Sequence, residues 1–320
     1  MNAIIVHKFG PAEVMKYKES PDPVAGPGEV IVRVVAVGVN PVDTYIRSGI
    51  YANKPDLPYT PGTDAGGLVE SVGEGVESLA IGDAVYTAGS ITGSYAGLIR
   101  CEWDQVHKLP VEMDPKLGAA VNVPYATAYR ALFQRGGARA GETLLVHGAS
   151  GAVGVAAVQL ATAFGMSVIG TAGTERGADL VRSEGADEVL NHHEDSYLDR
   201  VLDATGGRGV DLILEMLSDV NLAADLGVLA RRGRVAVIGC RGTIEINPRD
   251  VMAREADIRG VMLMGASTDE RRDIHAGIGS GLANGTLRPV TGREFPLKEA
   301  PAAHEAVLAS GAYGKIVLLP

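Results

Sequence analysis

Through the middle of the chain, short apolar runs alternate with helix-length stretches. Thr143–Val146 is the first run and Val153–Phe164 the first helix; a strand at Ser167–Gly170 and a helix at Gly177–Ser183 follow. The alternation continues with a strand at Glu188–Leu190, a helix at Tyr197–Leu202, a strand at Val210–Leu214 and a helix at Leu222–Ala230. Strands at Arg234–Ile238 and Ile258–Leu263 complete it. The strand runs are apolar on both faces, the pattern of a parallel sheet covered by helices on both sides. Six such strands predict a doubly wound α/β domain, a six-stranded Rossmann fold, over residues 123–263.

Before Asn122 the pattern is different. Strands are predicted at Glu29–Val37, Gly66–Val72 and Asp83–Tyr86, separated by Pro and Gly clusters at 21–23, 26–28 and 61–62. Short strands with frequent turns predict a β-rich, partly open barrel. After Leu263 come a helical stretch at Asp269–Ala283 and a closing strand at Lys315–Leu319. This tail is expected to return to the first domain. That domain would then comprise residues 1–122 plus 264–320, with the 123–263 domain inserted into it.

The turn after the first strand of the inserted domain carries chemistry. His147-Gly148-Ala149-Ser150-Gly151-Ala152-Val153-Gly154 leads from strand to helix. Aligned on Gly151 and Gly154, the first glycine of the dinucleotide fingerprint is Ala149, with Gly148 one place earlier, so the strand–turn–helix context carries the assignment. Glycines let a pyrophosphate approach the backbone, and the helix start offers it unpaired N–H groups. Preference for NAD shows as an acidic residue at the end of the second strand, on the ribose hydroxyls. Here that strand runs Ile169-Gly170-Thr171-Ala172-Gly173-Thr174, without a carboxylate. Arg176, His192 and His193 are candidate partners for a 2′-phosphate, with Glu175 counting against it, so NADPH is the expected cofactor. The alternative is that Arg176 caps a surface turn and the histidines are merely solvated. Ser150 superficially suggests a nucleophile elbow, but Gly151 directly after it breaks the Gly-x-Ser-x-Gly spacing.

Composition narrows the class. With 46% hydrophobic and 21% charged residues the chain is globular. A formal net charge of −10 disfavours non-specific nucleic-acid binding. No apolar run approaches the roughly 20 residues of a membrane helix. Met1–Lys8 reads as an ordinary first strand and not as a signal peptide. Cys101 and Cys240 make neither a disulfide framework nor a zinc spacing. A cytoplasmic, reducing setting without membrane partners is expected.

Five stretches, Val39–Gly49, Tyr59–Asp64, Val146–Gly151, Gly170–Thr174 and Arg241–Asp250, resemble the zeta-crystallin-like NADPH:quinone oxidoreductases. These form a zinc-independent branch of the medium-chain dehydrogenase/reductase superfamily. The resemblance spans essentially the whole chain. It implies a GroES-like catalytic barrel, a cleft between that barrel and the nucleotide domain, and homodimers or homotetramers. It also maps NADPH contacts onto Tyr45, Ser150, Gly151, Ala152, Val153, Gly173, His192, Asn221, Ile238, Gly239, Cys240, Arg241, Val261, Met262 and Leu263. His193 stands where mammalian members have arginine, which weakens one phosphate contact.

Zinc-dependent members of the superfamily hold a catalytic zinc with Cys, His and Cys. The first position here is Asn40, and the Gly-His-Glu element is replaced by Gly62-Thr63-Asp64. No metal is expected, since a zinc site needs S or N ligands that two scattered cysteines cannot supply; adjacent side chains diverge in His192-His193-Glu194. Without a Lewis acid, alcohol oxidation is disfavoured and an easily reduced acceptor is favoured. Asn40 is a candidate donor to the acceptor oxygen, and Tyr45 a candidate for stacking on the nicotinamide; a turn starter and a packing residue are the plainer readings. Asp43 either acts at the site or caps the following helix. Tyr51 and Tyr59 flank a proline-rich loop and are candidates to line an aromatic acceptor pocket, and Thr63 stands at the zinc-histidine position. Asn122–Thr127, with Thr127 as a nicotinamide contact, is otherwise an interdomain linker. Cys240 is more simply a small buried apolar residue than a reactive thiol.

The leading expectation is reduction of quinones, ortho-quinones among them, with family precedent for one-electron steps. The alternative on the same fold is an NADPH-dependent reductase of enones, 2-alkenals or enoyl thioesters. A non-catalytic NADPH- or RNA-binding role is the third reading, and the acidic charge gives it no support.

Overall fold

Ile4 and Val6 turn inward from β1 (Asn2–Val6), which pairs antiparallel with β2 (Met15–Glu19). β-branched residues dominate β3 (Glu29–Gly38), where they fit a pleated, half-buried surface. Pro41 then opens α1 (Pro41–Ser48) at a position where its missing N–H costs nothing. Strands β4 (Asp64–Val72), β5 (Ala84–Thr87), β6 (Leu98–Glu102) and β7 (Val106–Lys108) follow, joined by turns.

α2 (Asn122–Tyr129) is followed by the alternating part of the chain. It comprises β8 (Thr143–Val146), α3 (Ala152–Ala163), β9 (Ser167–Ala172), α4 (Glu175–Ser183), β10 (Glu188–Asn191) and α5 (Tyr197–Ala204). Then come β11 (Val210–Glu215), α6 (Ser218–Val228), β12 (Leu229–Val237), α7 (Pro248–Arg254), β13 (Asp257–Gly260) and α8 (Thr268–Ala283). The six strands form one parallel sheet in the order β10-β9-β8-β11-β12-β13. This is the doubly wound order, and Leu145, Ile169, Leu190, Ile213 and Val235 fill its core.

The chain closes with β14 (Thr291–Pro296), α9 (Ala300–Ala306) and β15 (Lys315–Leu319). β15 lies between β14 and β3, so the second sheet runs β14-β15-β3-β4-β5-β7, with β6 also on β3. In this sheet Gly38 at the end of β3 pairs with both Asp64 and Val317. The ends of three strands distant in sequence therefore meet beside Asn40.

The computed structural model describes residues 1–320. They divide into one unit of residues 1–123, 289–310 and 314–320 and another of 124–288 with 311–313. Residues 264–288 thus belong to the second unit, whereas the sequence reading put them with the first. α8 docks there through buried Ile274, Ile278 and Leu282, the Arg130–Glu270 ion pair at 3.0 Å, and the Gln134 amide donating to the Glu270 carbonyl. An amphipathic helix reads the same in sequence whichever core it covers. Two further boundaries move. β12 begins at Leu229, in the stretch expected to be helical, because the pairing shifts register after Val210–Leu229 and Arg232 takes φ 63°. β13 ends at Gly260, and Leu263 enters a 3-10 turn instead of a strand.

Candidate active site

Apart from Tyr45, which lies on α1 of the first unit, all the predicted cofactor residues belong to the second unit. Most follow the carboxyl ends of its parallel strands. Ser150, Gly151, Ala152 and Val153 follow β8; Gly173 and Arg176 follow β9; His192 follows β10. Ile238, Gly239, Cys240 and Arg241 follow β12, and Val261, Met262 and Leu263 follow β13. Asn221 is on α6, and Thr127 is buried on α2. Open α/β sheets bind ligands at this edge, at the point where strand order reverses, here between β8 and β11.

The glycine-rich turn fits a dinucleotide. Gly148 takes φ 58° and its N–H donates to Thr171 Oγ1 at 3.0 Å, which fixes the turn against β9. Gly151 is the N-cap of α3 and has no side chain to cap it, so the first-turn N–H groups remain available to an anion. A Cβ on Gly173 would lie 2.8 Å from His192 Nε2 and 2.7 Å from His193 Nε2, so the bare backbone leaves a cradle in front of the two rings. Burial lowers the His192 pKa, and His193 and His147 lower it further, so this ring is neutral and offers a phosphate a hydrogen bond without charge. Arg176 is the positively charged candidate of this set. Its guanidinium also stacks on the Tyr313 ring at 4.0 Å, while Ser150 Oγ donates to the Ala312 carbonyl at 2.8 Å. Both residues therefore also hold the 311–313 segment. Cys240 is exposed, contrary to the buried role expected for it, and its thiol donates to the Gly242 carbonyl.

A cluster that the sequence reading missed lies beside the β8–β11 reversal. His147 Nε2 is 2.7 Å from Asp225 Oδ1 and 3.4 Å from Glu215 Oε2, all three side chains being buried. Burial disfavours the charged ring, but the hydrogen bond and charge of Asp225, with Glu215, hold the His147 pKa above its ordinary value. Burial, with Asp225 alongside, pushes the Glu215 carboxyl up despite the opposing pull of His147. Three such donors within 4.8 Å have the composition of a metal site. The 2.7 Å His147–Asp225 separation is that of a hydrogen bond, and Glu215 Oε1 already accepts from the Leu217 N–H and Asn221 Nδ2. The sequence signal lay in the polar residues that end two otherwise apolar strands.

In the first unit, Asn40 is 3% exposed and both ends of its amide are engaged. Its Oδ1 accepts from Lys315 Nζ at 2.5 Å, and its Nδ2 donates to Asp64 Oδ2 at 3.0 Å. One N–H of the amide is left for an acceptor. Asp64 also accepts from Lys315 Nζ at 2.8 Å, Asn122 Nδ2 at 3.0 Å and the Val123 N–H at 3.2 Å. Asp43 accepts from the Asn40 N–H at 2.8 Å and Tyr95 Oη at 3.3 Å, and Tyr95 Oη is 2.9 Å from His304 Nε2. Burial pushes Asp43 up to about 7. A cavity of about 810 Å³ is lined by Asp43, Ile46, Tyr59 and Thr63 among others. Tyr59 Oη is buried without a hydrogen-bond partner. Tyr51, expected to line the same pocket, does not line this cavity, and Tyr45 is half-buried on α1 with its carbonyl accepting from the Tyr51 N–H.

The Asn40 environment does not fit zinc. Asn40 and Asp64 are both turned to the Lys315 ammonium, which already places a positive charge between them, and Thr63 Oγ1 leans on Asp64 at 3.4 Å. No thiolate or imidazole completes a tetrahedral set there.

A barrel-like sheet unit and a doubly wound dinucleotide unit define a nicotinamide-dependent oxidoreductase of the alcohol dehydrogenase type. The alcohol dehydrogenase GroES-like domain model matches residues 26–111, and the zinc-binding dehydrogenase model matches residues 152–276. The human quinone oxidoreductase is 47% identical over 321 residues, covering 100% of this chain and 98% of its own length. The Escherichia coli quinone oxidoreductase solved in complex with NADPH superposes with a TM-score of 0.88 at 30% identity, with both chains fully covered. A solved NAD-dependent alcohol dehydrogenase reaches a TM-score of 0.91 at 27% identity, again with both chains fully covered. The chain belongs to the zeta-crystallin-type quinone oxidoreductases of the medium-chain dehydrogenase/reductase superfamily, and is an enzyme of that class.

Proposed function

We propose that the chain is a zinc-independent NADPH:quinone reductase, acting on quinones including ortho-quinones. The observation that carries this reading is Lys315 held between Asn40 and Asp64. The polar centre of the first unit is built around an ammonium fixed by two partners, and offers no open Lewis-acid position. In the zinc-dependent members of the superfamily a metal at such a position polarises the alcohol; a quinone accepts electrons without it. Bound NADPH would supply a hydride. The chain's own work is then to bind, orient and manage protons.

The α3 N-terminus would hold the pyrophosphate, Arg176 the 2′-phosphate, and residues 238–241 and 261–263 the nicotinamide half. Asn40 would donate its remaining N–H to the acceptor oxygen as that oxygen gains negative charge, its orientation fixed by Lys315 and Asp64. Tyr45 and Thr127 would face the nicotinamide ring, and Tyr59 and Thr63 the acceptor. The family resemblance supports homodimers or homotetramers and a cytoplasmic setting; no helix is long and apolar enough to cross a membrane.

The test pairs fluorescence titration with NADPH and NADH against steady-state assays with ortho-quinones, para-quinones and 2-alkenals. Tight NADPH binding with quinone turnover is expected. Turnover of alkenals alone would make the chain an enone reductase, and a preference for NADH would overturn the cofactor assignment. Two one-electron products per NADPH, read by electron spin resonance, would distinguish single-electron steps from a two-electron transfer.

A further inference from the structure

We propose that Glu215 is a positioning residue for the cofactor: braced by His147 and Asp225, it sets the Asn221 amide against the bound dinucleotide. The inference rests on the NADPH reading above. Glu215 is the last residue of β11, and His147 directly follows β8. These two strands flank the reversal of strand order, where open α/β sheets bind ligands. Glu215 Oε1 accepts from the Leu217 N–H at 2.5 Å and from Asn221 Nδ2 at 3.2 Å. Asn221 is half-buried near the start of α6, and this bond leaves its Oδ1 and second N–H for a ligand.

The same turn is tied to the segment proposed for the nicotinamide half. The Glu215 carbonyl accepts from the Ile238 N–H at 2.9 Å, and Ser218 Oγ donates to the Gly239 carbonyl at 3.0 Å. Asn221 and Ile238 therefore share one anchor: the Glu215 side chain holds the first and its backbone the second.

Stability does not account for an ionisable anchor. The His147, Glu215 and Asp225 side chains are 4%, 0% and 0% exposed, and burying each costs desolvation. A well-packed apolar cluster would hold α6 to the sheet at no greater cost. It would not present an acceptor to Asn221. Ionisable groups gathered at a ligand-binding edge are a mark of function.

One proton completes the arrangement. Glu215 Oε2 and Asp225 Oδ2 are both buried without a hydrogen-bond partner. A proton on Glu215 Oε2, donated to Asp225, satisfies both oxygens and leaves Oε1 to hold Asn221. His147 Nε2, 2.7 Å from Asp225 Oδ1, braces the other side of that carboxylate. Burial pushes Glu215 up to about 7, with Asp225 adding to it and His147 and the Leu217 N–H opposing. As pH rises through that value the cluster gains negative charge at the edge where an anionic cofactor binds, and Asp225 repels the newly ionised Glu215. Two further groups stand around the cluster. Tyr197 of α5 lies edge-on to His147, 6.3 Å between ring centres, and its hydroxyl, pushed up to about 12, stays neutral. His192, after β10, is lowered by burial, His193 and His147.

The test measures NADPH affinity by fluorescence titration at pH 6.5 and pH 8, beside steady-state quinone assays. Binding is read at equilibrium, so the buried proton needs no relay to the surface. Glu215→Leu should weaken NADPH binding about tenfold, the scale of one positioned hydrogen bond, and raise KM for NADPH with little change in kcat. Asn221→Ala should lose a similar factor. The double variant should be no worse than either single one, because the two residues act as a unit. Glu215→Gln keeps a neutral acceptor oxygen and should recover most of what Glu215→Leu loses. Wild type should lose affinity relative to Glu215→Gln between pH 6.5 and pH 8. Unchanged affinity in Glu215→Leu, or losses that add in the double variant, overturn the inference. If Glu215→Leu does not fold, a Glu215→Gln affinity that follows pH as wild type does overturns it instead. The NADPH reading survives each of these results as long as wild type binds NADPH; a wild type that binds none overturns both.

Discussion

Lys315 Nζ lies 2.8 Å from Asp64 Oδ2, and their side chains are 2% and 0% exposed. A pair this deeply buried adds little stability over a well-packed apolar pair, yet losing one member leaves the other charge stranded. Lys315→Met is therefore expected to cost about 3–5 kcal/mol by urea denaturation. Asp64→Asn added to Lys315→Met should recover much of the loss, and an equally unstable double variant would show that packing, not charge, sets the cost.

Because that ammonium occupies the polar centre, chelator treatment should leave quinone turnover unchanged. Added zinc should not raise it. Metal analysis of purified protein, run beside activity, checks this, and activity that tracks bound zinc would refute it.

Arg176 is the charged group proposed for the 2′-phosphate, while His192, its pKa lowered by burial, would contribute a hydrogen bond alone. Arg176→Ala should weaken NADPH binding about tenfold, the scale of one charge-assisted hydrogen bond, and leave NADH binding unchanged. Since Arg176 also stacks on Tyr313, Tyr313→Leu serves as the control. If both variants weaken the two nucleotides equally, Arg176 acts only by holding residues 311–313.

Two buried carboxyls, Asp43 and Glu215, are pushed up to about 7 from ordinary values of 3.8 and 4.5. Between those ordinary values and about 7, the folded chain keeps protons that the unfolded chain releases, so stability falls as pH rises. His147, held above its ordinary 6.5, acts in the same direction: its contribution is complete below that value and fades as pH rises through the folded pKa. Below 6.5, His304 and His275, lowered by burial to about 3 and 4, work the other way, so the drop in urea midpoint is expected from pH 6.5 to pH 8, and Glu215→Gln should flatten it. A midpoint that climbs over this range contradicts the assignment.

The sheet of the second unit was legible because buried parallel strands announce themselves as unbroken apolar runs. The glycine-rich turn was legible because glycine is needed where a backbone turns sharply at Gly148. What escaped were features made by long-range register. Nothing near Lys315 indicates that β15 pairs with β3 and delivers an ammonium to Asn40. Tyr95 and His304 are 209 positions apart and meet only when α9 packs back on the first unit. α8 was assigned to the wrong unit for a related reason: its apolar stripe specifies burial, not which core does the burying. Asp43 was visible as a candidate because it sits within the Asn40–Tyr45 motif, but its companions were not.

The placement of β15 between β14 and β3 also bears on synthesis. The nucleotide unit has nearly all its residues once position 288 has left the ribosome, and is free to fold while the chain is still growing. The first unit has to wait. Asp64 is translated 251 positions ahead of its cationic partner, and until residue 315 emerges the nascent barrel lacks both a central strand and the charge that neutralises its interior. A chaperone that shields unfinished sheets would therefore be expected to hold the N-terminal part of this polypeptide through most of its translation.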